Sequence, residues 1–150
     1  MLTSMSGISP EQHAILLVDD SETDVLLIKR ALAKAGLEYP VQSVPGGIEA
    51  LAYLNGDPPF DDRSRYPTPL LVLLDATMHG MDGWEVLSCI KKVPALSALP
   101  VVILTGLNDA ANAKRAHDLG ATAFVQKSPD FGASPGLLSM VRGLIAQRML

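Results

Sequence analysis

Apolar residues are distributed along this chain in two rhythms. Residues 15–18, 70–74 and 101–104 are unbroken runs of valine, isoleucine and leucine, the pattern of parallel strands covered on both faces. Between these runs the apolar positions recur at helical spacing. Val25, Ile28, Leu32 and Ala35 share one face of a helix that Ser21 can cap and Gly36 can stop. Further helices are predicted over 47–54, over 84–92 with Leu87 and Ile90 inward, and over 108–119 with Gly120 as the stop. A last helix over 136–149 puts Leu137, Val141, Leu144 and Ile145 on one side. Residues 41–44 and 122–126 complete the set of strands. Five strands alternating with five helices imply right-handed crossovers and an α/β fold, a doubly wound five-stranded parallel sheet. One stretch interrupts the alternation. Residues 55–69 hold Pro58, Pro59, Pro67 and Pro69 among Asp57, Asp61, Asp62, Arg63 and Arg65, which predicts a surface loop kept wet by its mixed charges.

Composition narrows the classes open to such a fold. The 150 residues are 48% apolar and 19% charged, enough for one compact domain and too few for two. With 16 acidic and 12 basic residues the net charge is -4, so the broad positive field that DNA or an anionic membrane would require is absent. Cys89 is the single cysteine, which precludes an intramolecular disulfide or a thiolate zinc cluster and fits a reducing cytoplasm. None of the apolar runs could span a bilayer. Residues 1–12 carry neither a basic cluster nor an apolar core, and read as a disordered segment ahead of a single domain over 13–150 rather than as a signal peptide.

In open α/β sheets ligands collect beyond the carboxyl ends of the strands. The apolar runs close there on Asp19-Asp20, Asp75, Thr105 and Lys127. Three carboxylates brought to one edge repel one another, and a hard divalent cation relieves them; with few carboxylates and room for water, Mg2+ fits better than calcium. A lysine and a threonine hydroxyl at the same edge suit the oxygens of a transferring phosphoryl group. Asp19 and Asp20, ahead of Glu22 and Asp24, also read as favourable charges at a helix N-terminus, but Asp75 on the same edge favours the metal reading. Asp82, in a Met-Asp-Gly turn, is expected to cap the third helix. His79 reads as merely exposed, and His13 and His117 carry no signal.

In order and spacing, Asp19-Asp20, Asp75, Thr105-Gly106 and Lys127 resemble the receiver domains of bacterial two-component response regulators, over about residues 14–150. The segment Asp75-Ala76-Thr77-Met78-His79-Gly80-Met81-Asp82-Gly83 is similar to the receiver loop after the phosphoacceptor, and Leu99-Pro100 before the fourth strand is also typical. The resemblance implies a flavodoxin-like fold in which Asp75 accepts a phosphoryl group from a sensor-kinase phosphohistidine. It further implies that Asp19, Asp20, Asp75 and the backbone carbonyl of Thr77 hold magnesium, that Thr105 and Lys127 bind the phosphoryl oxygens, and that Gly106 leaves them room. Phe124, three residues before Lys127, falls at the aromatic switch position.

Three departures mark this chain off from the family pattern. His79 stands where proline is common, Phe124 where tyrosine is common, and Ser128 separates Lys127 from Pro129. A phenylalanine lacks the hydroxyl that would need a partner on burial, so the ring is expected inward even without phosphate. With no output domain after the fifth helix, a stand-alone regulator is expected, similar to those paired with phytochrome-like sensor kinases. Output would run through protein contact or through a histidine phosphotransfer protein, without enzymatic turnover, and a homodimer is left open. Two rivals remain: a pseudo-receiver that docks without being phosphorylated, and an aspartyl-phosphate hydrolase of the haloacid dehalogenase type. Against the latter, Thr77 stands where the second aspartate would be needed.

Overall fold

A computed structural model of the chain describes residues 13–106, 110–127 and 135–148. Strand and helix alternate throughout: β1 (His13–Val18), α1 (Glu22–Lys34), β2 (Val41–Val44), α2 (Gly47–Asn55), β3 (Thr68–Asp75), α3 (Gly83–Lys92), β4 (Val101–Thr105), α4 (Ala110–Asp118), β5 (Ala123–Gln126) and α5 (Pro135–Arg148). The strands form one parallel sheet in the order β2-β1-β3-β4-β5. This is the flavodoxin-like arrangement expected of the alternation. No helix among the described residues is long and apolar enough to cross a membrane.

The unbroken apolar runs are explained by cores on both faces of the sheet. Leu16, Val18, Val72, Leu74 and Ile103 pack with Tyr53 of α2, Leu87 and Ile90 of α3 and Ala116 of α4. Their strand neighbours Ile15, Leu17, Leu71, Leu73, Val102 and Leu104 pack on the other face with Ile28 and Leu32 of α1 and Leu137, Val141, Leu144 and Ile145 of α5. Burying each such leucine or isoleucine stabilises the fold by roughly 1.5–3 kcal/mol, which is why successive strand residues are all apolar. The predicted inward faces of α1, α3 and α5 are therefore realised. Ser21 caps α1 by accepting from the N–H of Asp24. Asp82 caps α3 in a reciprocal box with Glu85. Gly36 and Gly120 follow α1 and α4 in left-handed conformations, with φ of 80° and 90°.

Element boundaries shift by a residue or two from the sequence reading, and two of the shifts have a local cause. β3 starts at Thr68, inside the expected loop, and Pro69 lies opposite Ala14 with a register shift between Ala14 and Ile15; a proline is tolerated at a strand's beginning beside such an irregularity. β5 starts at Ala123; just before it Thr122 donates its N–H to the carbonyl of Val101 and accepts from the Val101 N–H with its side-chain Oγ1 in place of a backbone carbonyl. α4 is described from Ala110, so the expected start at residues 108 and 109 lies outside the described residues, as do the N-terminal segment 1–12, Met149, Ser128 and Pro129.

The connection between α2 and β3 is also more than a wet excursion. Asp57, Asp61, Asp62 and Arg65 are exposed, as their charges require, but Phe60 and Tyr66 are half-buried. Their rings meet that of Tyr53 at centroid distances of 5.1 and 6.0 Å. Arg63 reaches back to donate to the carbonyls of Tyr53 (2.8 Å) and Leu54 (3.3 Å) at the C-terminus of α2. Four prolines and mixed charge hid these anchors, because a single apolar residue between charges carries no periodicity.

Candidate functional site

The carboxyl edge of the sheet gathers the residues that close the strands. Leaving β1, Asp19 is almost fully buried, while Asp20 turns out to solvent. Asp75 ends β3 and Thr105 ends β4, both buried. Beyond β5 the N–H of Lys127 donates to the carbonyl of Thr105 over 2.6 Å, which carries the lysine to the same edge. The parallel order places β1, β3 and β4 side by side, so their ends converge without any contribution from a distant loop.

One oxygen from each of Asp19, Asp20 and Asp75 lies within 4.8 Å of the others. Around a hard cation with ligands at about 2.1 Å, neighbouring oxygens are about 3 Å apart and opposite ones about 4.2 Å, so side-chain rotations that draw these carboxylates inward close the set around one ion. All three donors are carboxylate oxygens, and the exposure of Asp20 leaves room for water to complete the shell. The donor set therefore fits a divalent cation of the hard class.

Lys127 is the internal counter-charge of the described site. Its Nζ lies 2.8 Å from Asp19 Oδ2, 2.8 Å from Asp24 Oδ2 and 3.3 Å from Asp75 Oδ2. Burial acts against its charge, yet hydrogen bonds to Asp19 and Asp24 and the fields of Asp75 and Asp19 hold its pKa above the usual lysine range. The opposite balance holds at Asp75. Burial, opposed by the Lys127 charge and reinforced by the Asp19 charge, pushes its carboxyl up to about 6. Asp75 Oδ1 also accepts from the N–H of Thr77 over 3.2 Å. Asp20 behaves differently again. The backbone N–H of His79 (3.0 Å) and then its ring Nδ1 (2.8 Å) both meet Asp20 Oδ2 and draw its pKa below the ordinary value.

The expected constellation of Asp19, Asp20, Asp75 and Lys127 is thus brought together, with Thr105 at the same edge and Thr77 one hydrogen bond away. Gly106 is exposed, and a Cβ there would meet no described atom within 4 Å. Phe124 stands apart from the charges, half-buried on β5 opposite Ile103 and packed against the core shared by α2, α3 and α4.

Three further residues escaped the sequence reading. Asp24 is bound to Lys127, although its place in the first turn of α1 is also where any acidic residue is favoured. The ring of His79 is exposed as expected, but its Nδ1 is engaged by Asp20, 59 positions away and invisible to local patterns. Gly83 opens α3 directly beneath the site: a Cβ there would fall on the carbonyl oxygen of Asp75 and 2.9 Å from the Cα of Ala76. Its position after Met-Asp in the loop was the available signal.

Comparison with known proteins agrees with this geometry. A family model described as the response regulator receiver domain matches residues 15–133. Response regulator Rcp1 of Synechocystis sp. is 31% identical over 140 residues, 93% of this chain and 91% of that protein. The crystal structure of the phosphorylated cyanobacterial phytochrome response regulator RcpA superposes with a TM-score of 0.73 at 32% identity, covering 89% of this chain and 91% of that one. The Mn2+-bound form of Rcp1 gives a TM-score of 0.71 at 30% identity, over 89% and 91%.

Proposed function

Because the chain belongs to the response regulator receiver domain family of two-component signalling, we propose that it is a phosphoacceptor whose nucleophile is Asp75. The observation that carries this reading is the buried Asp75 carboxylate, flanked by Asp19 and Asp20 on one side and by the Lys127 ammonium 3.3 Å away on the other. Receiver domains bind a divalent metal, and magnesium is the ion proposed here, held by Asp19, Asp20, Asp75 and the backbone carbonyl of Thr77. What the cation supplies when bound is neutralisation of the carboxylates and of the phosphoryl oxygens that approach them.

The remaining work falls to side chains of this protein. An oxygen of Asp75 bonds to phosphorus as the P–N bond of a donor phosphohistidine breaks, and the electron pair of that bond stays on the imidazole nitrogen. An isolated carboxylate is a weak nucleophile toward a phosphoryl group, whose oxygens repel it. Lys127 counters that repulsion by turning N–H donors from Asp19 and Asp75 to the phosphoryl oxygens, and the Thr105 hydroxyl adds a further donor. Gly106, with open space at its Cα, lets the group approach. Phe124 would then read out the movement of Thr105 by repacking against the core beside α4.

The donor is a sensor histidine kinase of the phytochrome-like type, to which relatives such as RcpA point, or a histidine phosphotransfer protein. Output passes through protein contact and not through DNA or catalysis of a second substrate. The test is intact mass after incubation with acetyl phosphate and magnesium. One added phosphoryl mass, absent in Asp75→Asn and absent with chelator, is expected. Equal labelling of Asp75→Asn would overturn the assignment, and no labelling of the wild type would favour a docking pseudo-receiver.

A further inference from the structure

Resting on that reading of Asp75, we propose that Asp24 is a positioning residue for Lys127, the carboxylate that keeps the ammonium aimed at the phosphoryl site while its other partners are drawn away. The Lys127 ammonium has three N–H donors and three carboxylates around it: Asp19 and Asp24 at 2.8 Å and Asp75 at 3.3 Å. Two of these, Asp19 and Asp75, belong to the set of oxygens that converges as a cation site. Asp24 does not. When a cation and a phosphoryl group occupy the edge, the charges of Asp19 and Asp75 are shared with them and their hold on Lys127 weakens. Asp24 remains as a partner that neither event consumes.

The arrangement follows from helix geometry. Ser21 caps α1 by accepting from the N–H of Asp24, which fixes the backbone of that residue in the first turn. From there its side chain reaches Lys127 across a separation of 103 positions. The lysine stem is well buried, with its side chain 14% exposed, and Asp24 is 30% exposed, so solvent screens this pair less than a surface ion pair. A four-carbon lysine side chain otherwise samples many rotamers, and each further rotamer left open to it weakens its aim. With one N–H fixed on Asp24, the other two remain to turn between carboxylates and phosphoryl oxygens. The role is positional: Asp24 touches neither the phosphoryl group nor the cation.

The experiment is a double-mutant cycle of Asp24→Asn and Lys127→Met, read as the rate of phosphorylation by acetyl phosphate at saturating magnesium. Asp24→Asn alone is expected to slow phosphorylation about 3- to 10-fold, to add less than about 1.5-fold once Lys127 is methionine, and to be largely rescued by Asp24→Glu. An Asp24→Asn rate within about 1.5-fold of wild type, or the same loss in both backgrounds, overturns the proposal. Asp75→Asn, run alongside, separates the two levels: labelling that persists there sinks the acceptor assignment, whereas labelling that vanishes there with an unaffected Asp24→Asn sinks only the role of Asp24. Should Asp24→Asn fail to fold, side-chain 13C spectra of the wild-type protein decide. Adding magnesium and beryllofluoride is expected to move the Asp19 and Asp75 carboxyl signals and to leave the contact between Asp24 and the Lys127 ammonium intact; loss of that contact overturns the proposal.

Discussion

The two edges of the sheet treat polar groups in opposite ways. At the carboxyl edge Asp19, Asp20 and Asp75 converge on one point with a single ammonium, Lys127, shared between two of them and Asp24. At the amino edge, where α2 ends and β3 begins, the polar groups satisfy one another. Arg63 donates to the carbonyls of Tyr53, Leu54 and Tyr66 and lies 5.4 Å over the Tyr53 ring, and the Tyr53 hydroxyl donates to the carbonyl of Pro67 over 2.8 Å. Arg63 thus adds a charged donor to the last carbonyls of α2, a helix with no basic residue in its own last turn and a left-handed glycine, Gly56, as its C-cap. One edge keeps negative charge in excess and gains stability when a cation arrives. The other is closed at the joint of α2 and β3 by these bonds, and stabilises the fold without a ligand. The difference separates a site that has to respond from a joint that has to hold.

The sharpest way to break this contrast is to stiffen or displace the responsive edge from below. Gly83→Ala would drive a methyl group into the Asp75 carbonyl, and because the obstacle is backbone the cost is expected at about 3 kcal/mol, the upper part of the range for overpacking. Chemical denaturation measures it, and a loss under about 1 kcal/mol would show that the backbone at the end of β3 yields easily. Next in size is Arg63→Ala at the opposite edge. Three carbonyls lose a charged donor, so a loss of about 2 kcal/mol is expected, with phosphorylation of Asp75 unchanged. A matching loss of phosphorylation would mean that the two edges are coupled.

A gain of stability is expected from Asp75→Asn. The folded pKa of Asp75 is pushed up to about 6 from an ordinary 3.8, first by burial. Between those values the folded state binds more protons than the unfolded one, so without metal the stability contributed by this group is full below about pH 4 and is lost as pH rises through about 6. Allowing for screening, Asp75→Asn is expected to be more stable than wild type by about 1–2 kcal/mol at pH 7 and no more stable at pH 4. Magnesium should stabilise the wild type and erase the difference. Melts of both proteins from pH 4 to 7, with and without magnesium, decide it; equal stability of the two metal-free proteins at pH 7 would show that Lys127 fully offsets the burial of Asp75.

These two edges also differ in how far they could be read in advance. The order of strands and helices was legible because each strand has two covered faces and so becomes a continuous apolar run, and the charges that interrupt those runs are the site. Asp19, Asp75, Thr105 and Lys127 announced themselves by closing an apolar run. Arg63, Phe60 and Tyr66 did not, since their partners belong to α2 and no local period links them. The same holds for Asp24 with Lys127 and for His79 with Asp20, pairs made only when distant segments meet. Pro69 was misread for a related reason: a proline argues against a strand locally, and only the shifted register at Ala14 makes room for it. Phe124 was expected inward from its chemistry alone, and it is half-buried.

The smallest expected effect lies on the outermost group of the responsive edge and tests how far that edge extends. His79 donates its backbone N–H to Asp20 Oδ2 and brings its ring Nδ1 within 2.8 Å of the same oxygen, yet the ring itself stands in solvent. An exposed pair of this kind is worth little, so His79→Ala is expected to change metal-free stability by less than about 0.5 kcal/mol. The variant keeps the backbone donor, which is the larger cause of the lowered Asp20 pKa, and loses the ring contribution. The Asp20 carboxyl is therefore expected to titrate higher than in the wild type while remaining below its ordinary value, a shift visible in side-chain 13C spectra. Its sign follows from the lowered folded pKa. The stability contributed by Asp20 is present above the unfolded value near 3.8 and is lost as pH falls through the folded one, so the small loss in the variant should be present at pH 7 and vanish in acid, where Asp20 is protonated in the folded and unfolded states alike. A loss of stability that persists in acid, where Asp20 is protonated in both states, would show that His79 holds the loop after Asp75 by something other than its contact with Asp20, and the boundary between the responsive edge and the structural scaffold would then run through that loop.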